Sequence, residues 1–400
     1  MKEKKYPLTI AEVDRILTEQ NVKVRYDILT HELEFCGTEL PPEHAAEMFS
    51  TIVFSALRAM DCYSGVTLPA VENYISVLAY NNRCNPLRDT LARIKWDGVD
   101  RIDALCNIMR LKETDSLSRT LVRKWLMQTI ALSCFNERND PFGAEGVLVL
   151  CGAQGIGKTT LVSKLGISNH FCKLGVNVDP HNKDDVLQAT SAFICELGEL
   201  ESTMKRDVAA LKAFLTAHTD EVRKPYARAA SRERRRTSFA ATCNSRDFLN
   251  DPTGNRRFFT IDCPEPFDLA ALSEMRVFQL WAQVFELVMN AADPSKCFRL
   301  TRDEARRLAE RNGAHTKTIP AEQEVRDILN DAAENPGKYD WKMLTVTDWA
   351  GYWLCLRKFN SAQIGKALEQ CGVEAEIIKK SDRKIKLRRL PVYRREPALC

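Results

Sequence analysis

The chain has 400 residues, 44% of them hydrophobic and 28% charged, a composition of globular domains rather than of a fibre or a disordered tail. Its net charge is +4 and its 14 cysteines are scattered singly. With no Cys-x-x-Cys pair to grip zinc, they read as reduced thiols used as small core residues, not as a disulfide scaffold. The opening MKEKKYPLTI lacks the apolar run of a signal peptide, and no window approaches the ~18 apolar residues of a membrane span. A cytoplasmic protein without a membrane partner is expected.

Residues 1–95 read as a small, mostly helical accessory domain. MFSTIVFSALRAM and VENYISVLAY carry apolar residues at helical spacing, and NVKVRYDILTHELEFCG alternates as a short hairpin does. The turn-forming LARIKWDGVDRIDAL then leads into a second domain, 96–315. DSLSRTLVRKWLMQTIALSCF predicts a long amphipathic helix capped by Asp115. Four short apolar strands follow, GVLVLC, SAFICE, TSFAAT and RRFFTID, separated by helical stretches. Strands alternating with helices specify an α/β fold with a largely parallel sheet, whose ligands sit at the carboxyl ends of the strands.

The first of these strands runs directly into GAQGIGKTT, Gly152 to Thr160. Gly152, Gly155, Gly157, Lys158 and Thr159 fit G-x-x-x-x-G-K-[ST] between a strand and a helix. Such a loop turns its N–H groups inward on phosphate oxygens, and the helix behind it adds its positive end. Lys158 reaches the β- and γ-phosphates, the Thr159 hydroxyl ligates Mg²⁺, and Ala153, Gln154, Ile156 and Thr160 complete the cradle. ATP and Mg²⁺ are the expected cofactors.

Hydrolysis needs a carboxylate for the metal and a group that holds water. FICELGEL places Glu196 at the tip of the second strand and Glu199 three residues on, one for the Mg²⁺ shell and one to polarise water, in an order left open. The third strand ends at Asn244, an amide suited to orienting the attacking water. DPTGNRRFFTI presents Arg256 and Arg257 before the next strand, where a guanidinium can neutralise the transferred phosphoryl group, often from a neighbouring subunit.

Two segments concentrate positive charge. Val222 to Arg236 (VRKPYARAASRERRR) holds seven basic residues, and Lys379 to Arg395 holds nine, so a modest net charge does not argue against a polyanionic partner. The second cluster belongs to a third region, 335–400. There, helices over 347–356 and 360–370 precede a basic hairpin that turns at Ser381–Asp382, the order of a winged helix-turn-helix.

Taken in sequence, KWDGVDRID, LVLCGAQGIGKTTL, CELGEL, LKAFLTAHTDEVRKPYAR and ATCNSRDFLNDPTGNRRFF resemble the virulence-associated protein E family of phages and mobile elements, a superfamily 3 helicase-like group of AAA+ ATPases. By that resemblance Gly152–Thr160 is the Walker A motif and Glu196 with Glu199 the Walker B region. Asn244 is sensor 1, and Arg256 or Arg257 is the arginine finger. One departure is that superfamily 3 helicases usually place two acidic residues side by side, whereas Leu197 and Gly198 intervene here. The resemblance makes the first basic segment a hairpin entering a central channel, with Lys212, Arg223, Lys224, Arg228 and Arg232 gripping single-stranded DNA and Tyr226 stacking or packing. It also implies a hexameric ring in a bacterial host, hydrolysis at subunit interfaces, and recognition of an origin duplex by the C-terminal region. Two readings follow: an ATP-dependent DNA helicase or translocase for replication of a phage or integrative element, and a nucleotide-controlled DNA-binding switch without unwinding, in replication control or anti-phage defence. A small-molecule kinase, the third user of such a loop, has no need of two basic clusters.

Overall fold

The computed structural model describes residues 5–37, 45–60, 62–137, 140–198, 208–222, 231–244, 249, 255–315, 320–380 and 383–394. The chain divides into two compact units, Met1–Ala314 and His315–Cys400.

Within the first unit, residues 8–80 build a hydrophobic core of their own. Helix Ile10–Glu19 buries Val13, Ile16 and Leu17, and helix Leu68–Asn81 buries Val71, Ile75 and Ala79, the spacing of one helical face. They pack with Val24 and Tyr26 of a three-stranded sheet ordered Leu33–Cys36, Lys23–Asp27, Arg83–Cys84. The expected hairpin is there, antiparallel, with Lys23 opposite Cys36.

The long helix α1 (Ser116–Ile130) starts at Asp115, whose carboxylate accepts the Ser118 N–H at 3.1 Å and pairs with Arg311 at 2.6 Å. It passes into a π-helical turn over Ala131–Phe135. The strands that follow are β1 (Val147–Cys151), β2 (Cys172–Val176), β3 (Ile194–Leu197), β4 (Thr219–Val222), β5 (Ser231–Arg234), β6 (Ser238–Cys243) and β7 (Phe258–Asp262). Five of them form one sheet in the order β7-β1-β6-β3-β2, parallel throughout. Strands β4 and β5 pair separately as an antiparallel ribbon. The fifth sheet member, β2, was absent from the sequence-based expectation. It is an edge strand with Leu174 and Gly175 exposed, so it never shows the continuous apolar run of the buried strands.

Alternate residues of the sheet serve two cores, as the pleat requires. Leu148 and Leu150 face a cluster with Trp125, Leu161 and Trp281, while Val147 and Val149 face Leu211, Phe214 and Leu215. Large side chains also bond the backbone they cover. Trp125 Nε1 donates to the Phe239 carbonyl and Trp281 Nε1 to the Leu165 carbonyl, each at 2.8 Å. Gln128 accepts the Glu145 N–H at 2.6 Å and donates to the Gly146 carbonyl at 2.8 Å, which fixes where the chain enters β1. Helices Leu269–Glu274, α3 (Val277–Met289) and α4 (Arg302–Ala314) close the unit.

In the second unit, helix Pro320–Glu334 leads to β8 (Tyr339–Leu344), helix Val346–Gly351, a 3₁₀ turn Leu354–Lys358, helix Ser361–Gln370, β9 (Glu376–Lys380) and β10 (Arg383–Tyr393). The sheet order is β8-β10-β9, antiparallel. The expected helix over 347–356 is therefore broken into an α-turn and a 3₁₀ turn, where Trp349 and Leu356 are drawn into the core. The helix expected over 360–370 keeps its start: Asn360 and Gln363 form a capping box.

Candidate nucleotide site

Strand β1 ends at Cys151 and helix α2 (Lys158–Leu165) begins seven residues later. The loop between them bends through two left-handed glycines, Gly155 at φ +83° and Gly157 at φ +102°. An L side chain at Gly157 is strained by that backbone and also meets Leu269 Cδ2 at 2.7 Å. A Cβ at Gly152 would stand 2.3 Å from the Cys263 carbonyl oxygen, so the loop lies flat on the end of β7. The Gly152 N–H donates to the Cys243 carbonyl at 3.1 Å and the Phe267 N–H to the Ile156 carbonyl at 2.9 Å. These bonds pin both ends of the turn, while Ala153, Gln154 and Gly155 remain exposed between them and Thr159 and Thr160 are exposed on the first helical turn.

Lys158 is the hub. Its side chain is 6% exposed, and its Nζ donates to the carbonyls of Gly152 and Ala153 at 2.7 Å each and to Asn244 Oδ1 at 3.1 Å. The Asn244 amide, at the end of β6, thus meets the lysine at the loop. Beside them Glu196, at 3% exposure, accepts on one oxygen, Oε1, from Thr159 Oγ1 at 2.9 Å and from Thr242 Oγ1 at 3.0 Å. Thr242 was not singled out from the sequence. Its signal was the alternation of TSFAATCN, which puts residues 242 and 244 on one side of the strand. Strands β1 and β6 are neighbours whose outgoing connections run opposite ways along the sheet, to β2 and to β7, and such switch points are where open parallel sheets hold ligands.

Beneath the loop the thiols of Cys151 and Cys243 lie 2.9 Å apart on adjacent strands. The Cys243 contact, then burial, push the Cys151 thiol up, so it is no nucleophile at neutral pH. Asp27, Glu34 and His170 also converge, within 4.8 Å. Asp27 spends its oxygens on the Leu29 N–H (2.8 Å) and Thr30 hydroxyl (3.0 Å), and Glu34 pairs with Arg25 at 2.8 Å; this cluster is engaged in holding the fold.

Arg256 and Arg257 stand apart from the loop of their own chain. They form a 3₁₀ turn before β7, which is parallel to β1 with Phe258 opposite Val147. That places them at the amino edge of the sheet, whereas the glycine loop is at the carboxyl edge. Arg256 is exposed, and Arg257 Nε donates to Thr216 Oγ1 at 3.4 Å. Asn312 of α4 holds this turn, bonding the carbonyls of Asn255 and Phe258 at 2.7 and 3.0 Å.

Of the basic candidates, Arg232 is exposed on β5 and Lys212 is 6% exposed on helix Val208–Leu215. Glu199, Arg223, Lys224, Tyr226 and Arg228 lie outside the described residues. Arg235 serves the fold. It is fully buried, donates from Nε to Asp220 at 2.6 Å, and has its guanidinium 4.6 and 5.1 Å from the ring centres of Phe214 and Phe239.

The fold and the loop define a class: a parallel α/β protein with a glycine-rich, lysine-capped turn at its strand tips. Residues 91–317, more than half of the chain, match the virulence-associated protein E-like domain, and the chain belongs to that family. Two solved structures similar to it are apo forms of the C-terminal region of NrS-1. They are 13% and 14% identical, each with a TM-score of 0.49, covering 94% of this chain and 98% of that one. No curated protein matches. Among the described residues, no helix is long and apolar enough to cross a membrane.

Proposed function

We propose that the chain is an ATP-driven DNA helicase or translocase of a phage or integrative element, built on an AAA+ type P-loop core. The observation that carries the reading is the convergence of Lys158, Thr159, Glu196, Thr242 and Asn244 at the tips of β1, β3 and β6. The donor set suits the implied cofactor: the Thr159 hydroxyl and the Glu196 carboxylate, 2.9 Å apart, are the hard oxygen ligands Mg²⁺ selects. Bound there, Mg–ATP brings a metal that neutralises charge on the phosphates. Lys158 adds a positive charge from the opposite wall, the loop N–H groups orient the phosphate oxygens, and Asn244 offers an amide to position water. The Thr242 hydroxyl keeps Glu196 turned toward Thr159.

Arg256 and Arg257, at the far edge from their own loop, fit an arginine donated to a neighbouring subunit of a ring, which a homohexamer would supply. The ribbon β4–β5 is the base of the DNA-gripping hairpin in this reading. The antiparallel unit β8-β10-β9 with its helix pair is the winged-helix element for origin duplex DNA. Lys379 stands opposite Lys384 across its hairpin, a like-charge pair that a phosphate backbone would relieve.

ATP turnover with and without single-stranded DNA tests the proposal. Stimulation by DNA, abolished in Lys158→Ala, supports a motor. Slow turnover indifferent to DNA, with no displacement of a forked duplex, favours the nucleotide-controlled switch.

A further inference from the structure

A polar cavity of about 570 Å³ opens at the amino edge of the sheet, away from the glycine loop. Six cationic side chains line it: Lys23 and Arg25 from one strand of the N-terminal sheet, Arg83 from its neighbour, Arg88 from helix Pro86–Leu91, and Arg234 and Arg236 from the end of β5 and the residues after it. Against them stand three carboxylates, Asp89, Glu137 and Glu233. Arg83 pairs with Glu233 at 2.7 Å and Arg88 with Glu137 at 2.8 Å, while Arg25 turns to Glu34. Lys23, Arg234 and Arg236 have no carboxylate partner among the described residues.

Arg236 is the telling member. It is 8% exposed, and among the described residues its side chain makes one hydrogen bond, 3.2 Å long, to the Ser133 carbonyl. Burial holds its guanidinium down to about 10. Glu137 offsets part of this charge but is already paired with Arg88; a buried cation so thinly compensated is costly, and an anion entering the cleft lowers that cost. The lining also narrows the class of anion. Among the described residues the lining holds no aromatic ring, and Ile28 and Cys84 supply the apolar surface, so this lining neither stacks a base nor encloses an organic ligand, as small-molecule pockets do. The cations come from four separate segments, matching a run of phosphates rather than one.

We infer that this cleft binds the phosphodiester backbone of a nucleic-acid strand, reading charge and not sequence. It goes beyond the nucleotide site: it lies on the opposite edge of the sheet, and it joins the N-terminal domain to the base of the β4–β5 ribbon, so a strand held by the ribbon continues across it.

The test uses the full chain without nucleotide or Mg²⁺, and fluorescent oligothymidylate followed by anisotropy from about 50 to 200 mM salt. Lys23→Ala with Arg234→Ala removes two unpaired cations and leaves every ion pair named above intact, so the melting temperature holds. Two lost phosphate contacts lower the slope of log affinity against log salt by about 1.4 and weaken binding about 25-fold near 0.1 M salt. Lys23→Arg with Arg234→Lys restores both. ATP turnover without DNA stays at the parent level, so failure here is distinguishable from failure of the proposed motor. A parent that does not bind oligothymidylate, or a double variant that binds it like the parent, overturns the inference. So does a variant that loses affinity only for inorganic tripolyphosphate, which would make the cleft a small-anion site.

Discussion

Asp220→Ala is expected to cost the first unit about 3–5 kcal/mol, the range for removing one partner of a buried pair. Asp220 and Arg235 are 6% and 0% exposed, and among the described residues Arg235 Nη1 has no hydrogen-bond partner, so the carboxylate is the main compensation for a guanidinium that cannot lose its proton. The flanking Phe214 and Phe239 rings give only part of this back, roughly 1–2 kcal/mol as cation–π contacts, and they are present with or without Asp220. At about 2–4 °C per kcal/mol for a unit of this size, the melting temperature falls by about 10 °C. Asp220→Val with Arg235→Met removes both charges and stays close to the original volume. It should return within about 1 kcal/mol of the parent, because a buried pair and its apolar replacement are often equivalent. Urea unfolding of the parent, both single variants and the double gives the coupling energy. A loss under about 1 kcal/mol for Asp220→Ala, or a double variant as weak as the worse single, would refute the reasoning.

Thr242→Val takes one of two hydroxyl donors from Glu196 Oε1 and leaves the loop intact; turnover should fall about 10–100-fold, as for loss of an orienting partner, with nucleotide affinity within a few-fold of the parent, measured as kcat against Kd. Burial raises the Asp27 carboxyl to about 6, above its unfolded value. The folded chain therefore holds a proton that the unfolded chain releases, and stability falls as pH rises from about 4 to 6 by on the order of 3 kcal/mol. Asp27→Asn keeps the acceptor for the Leu29 N–H and removes this slope, so the stability gap between variant and parent should widen in the variant's favour from pH 4.5 to 7.5 in denaturant titrations.

Much of this was legible beforehand, for physical reasons. The glycine loop, strand and helix are local, so Gly152 to Thr160 announced themselves, and Asp115 and Asn360 cap helices because caps depend on adjacent residues. Strand β2 was not legible: an edge strand with exposed Leu174 and Gly175 lacks the apolar run that betrays a buried one. Strand β8 (YDWKML) was missed because its pairing with β10 is a long-range contact. Charge runs misled most. Arg232, Arg235 and Arg236 read alike in sequence, yet one is exposed, one is locked on Asp220 and one lines a cleft with the N-terminal sheet. The bond from Thr242 to Glu196 required knowing that β3 and β6 are neighbours, which alternation along either strand does not disclose.

Titration of the full chain with Mg–ATP, read by calorimetry, bears most directly on the claim that triphosphate sits at the tips of β1, β3 and β6. The parent should bind one nucleotide per chain, Lys158→Ala should lose at least tenfold in affinity, and Glu196→Gln should bind nucleotide but lose its dependence on Mg²⁺. Parent-like titrations for both variants would mean that the nucleotide, if bound at all, lies elsewhere.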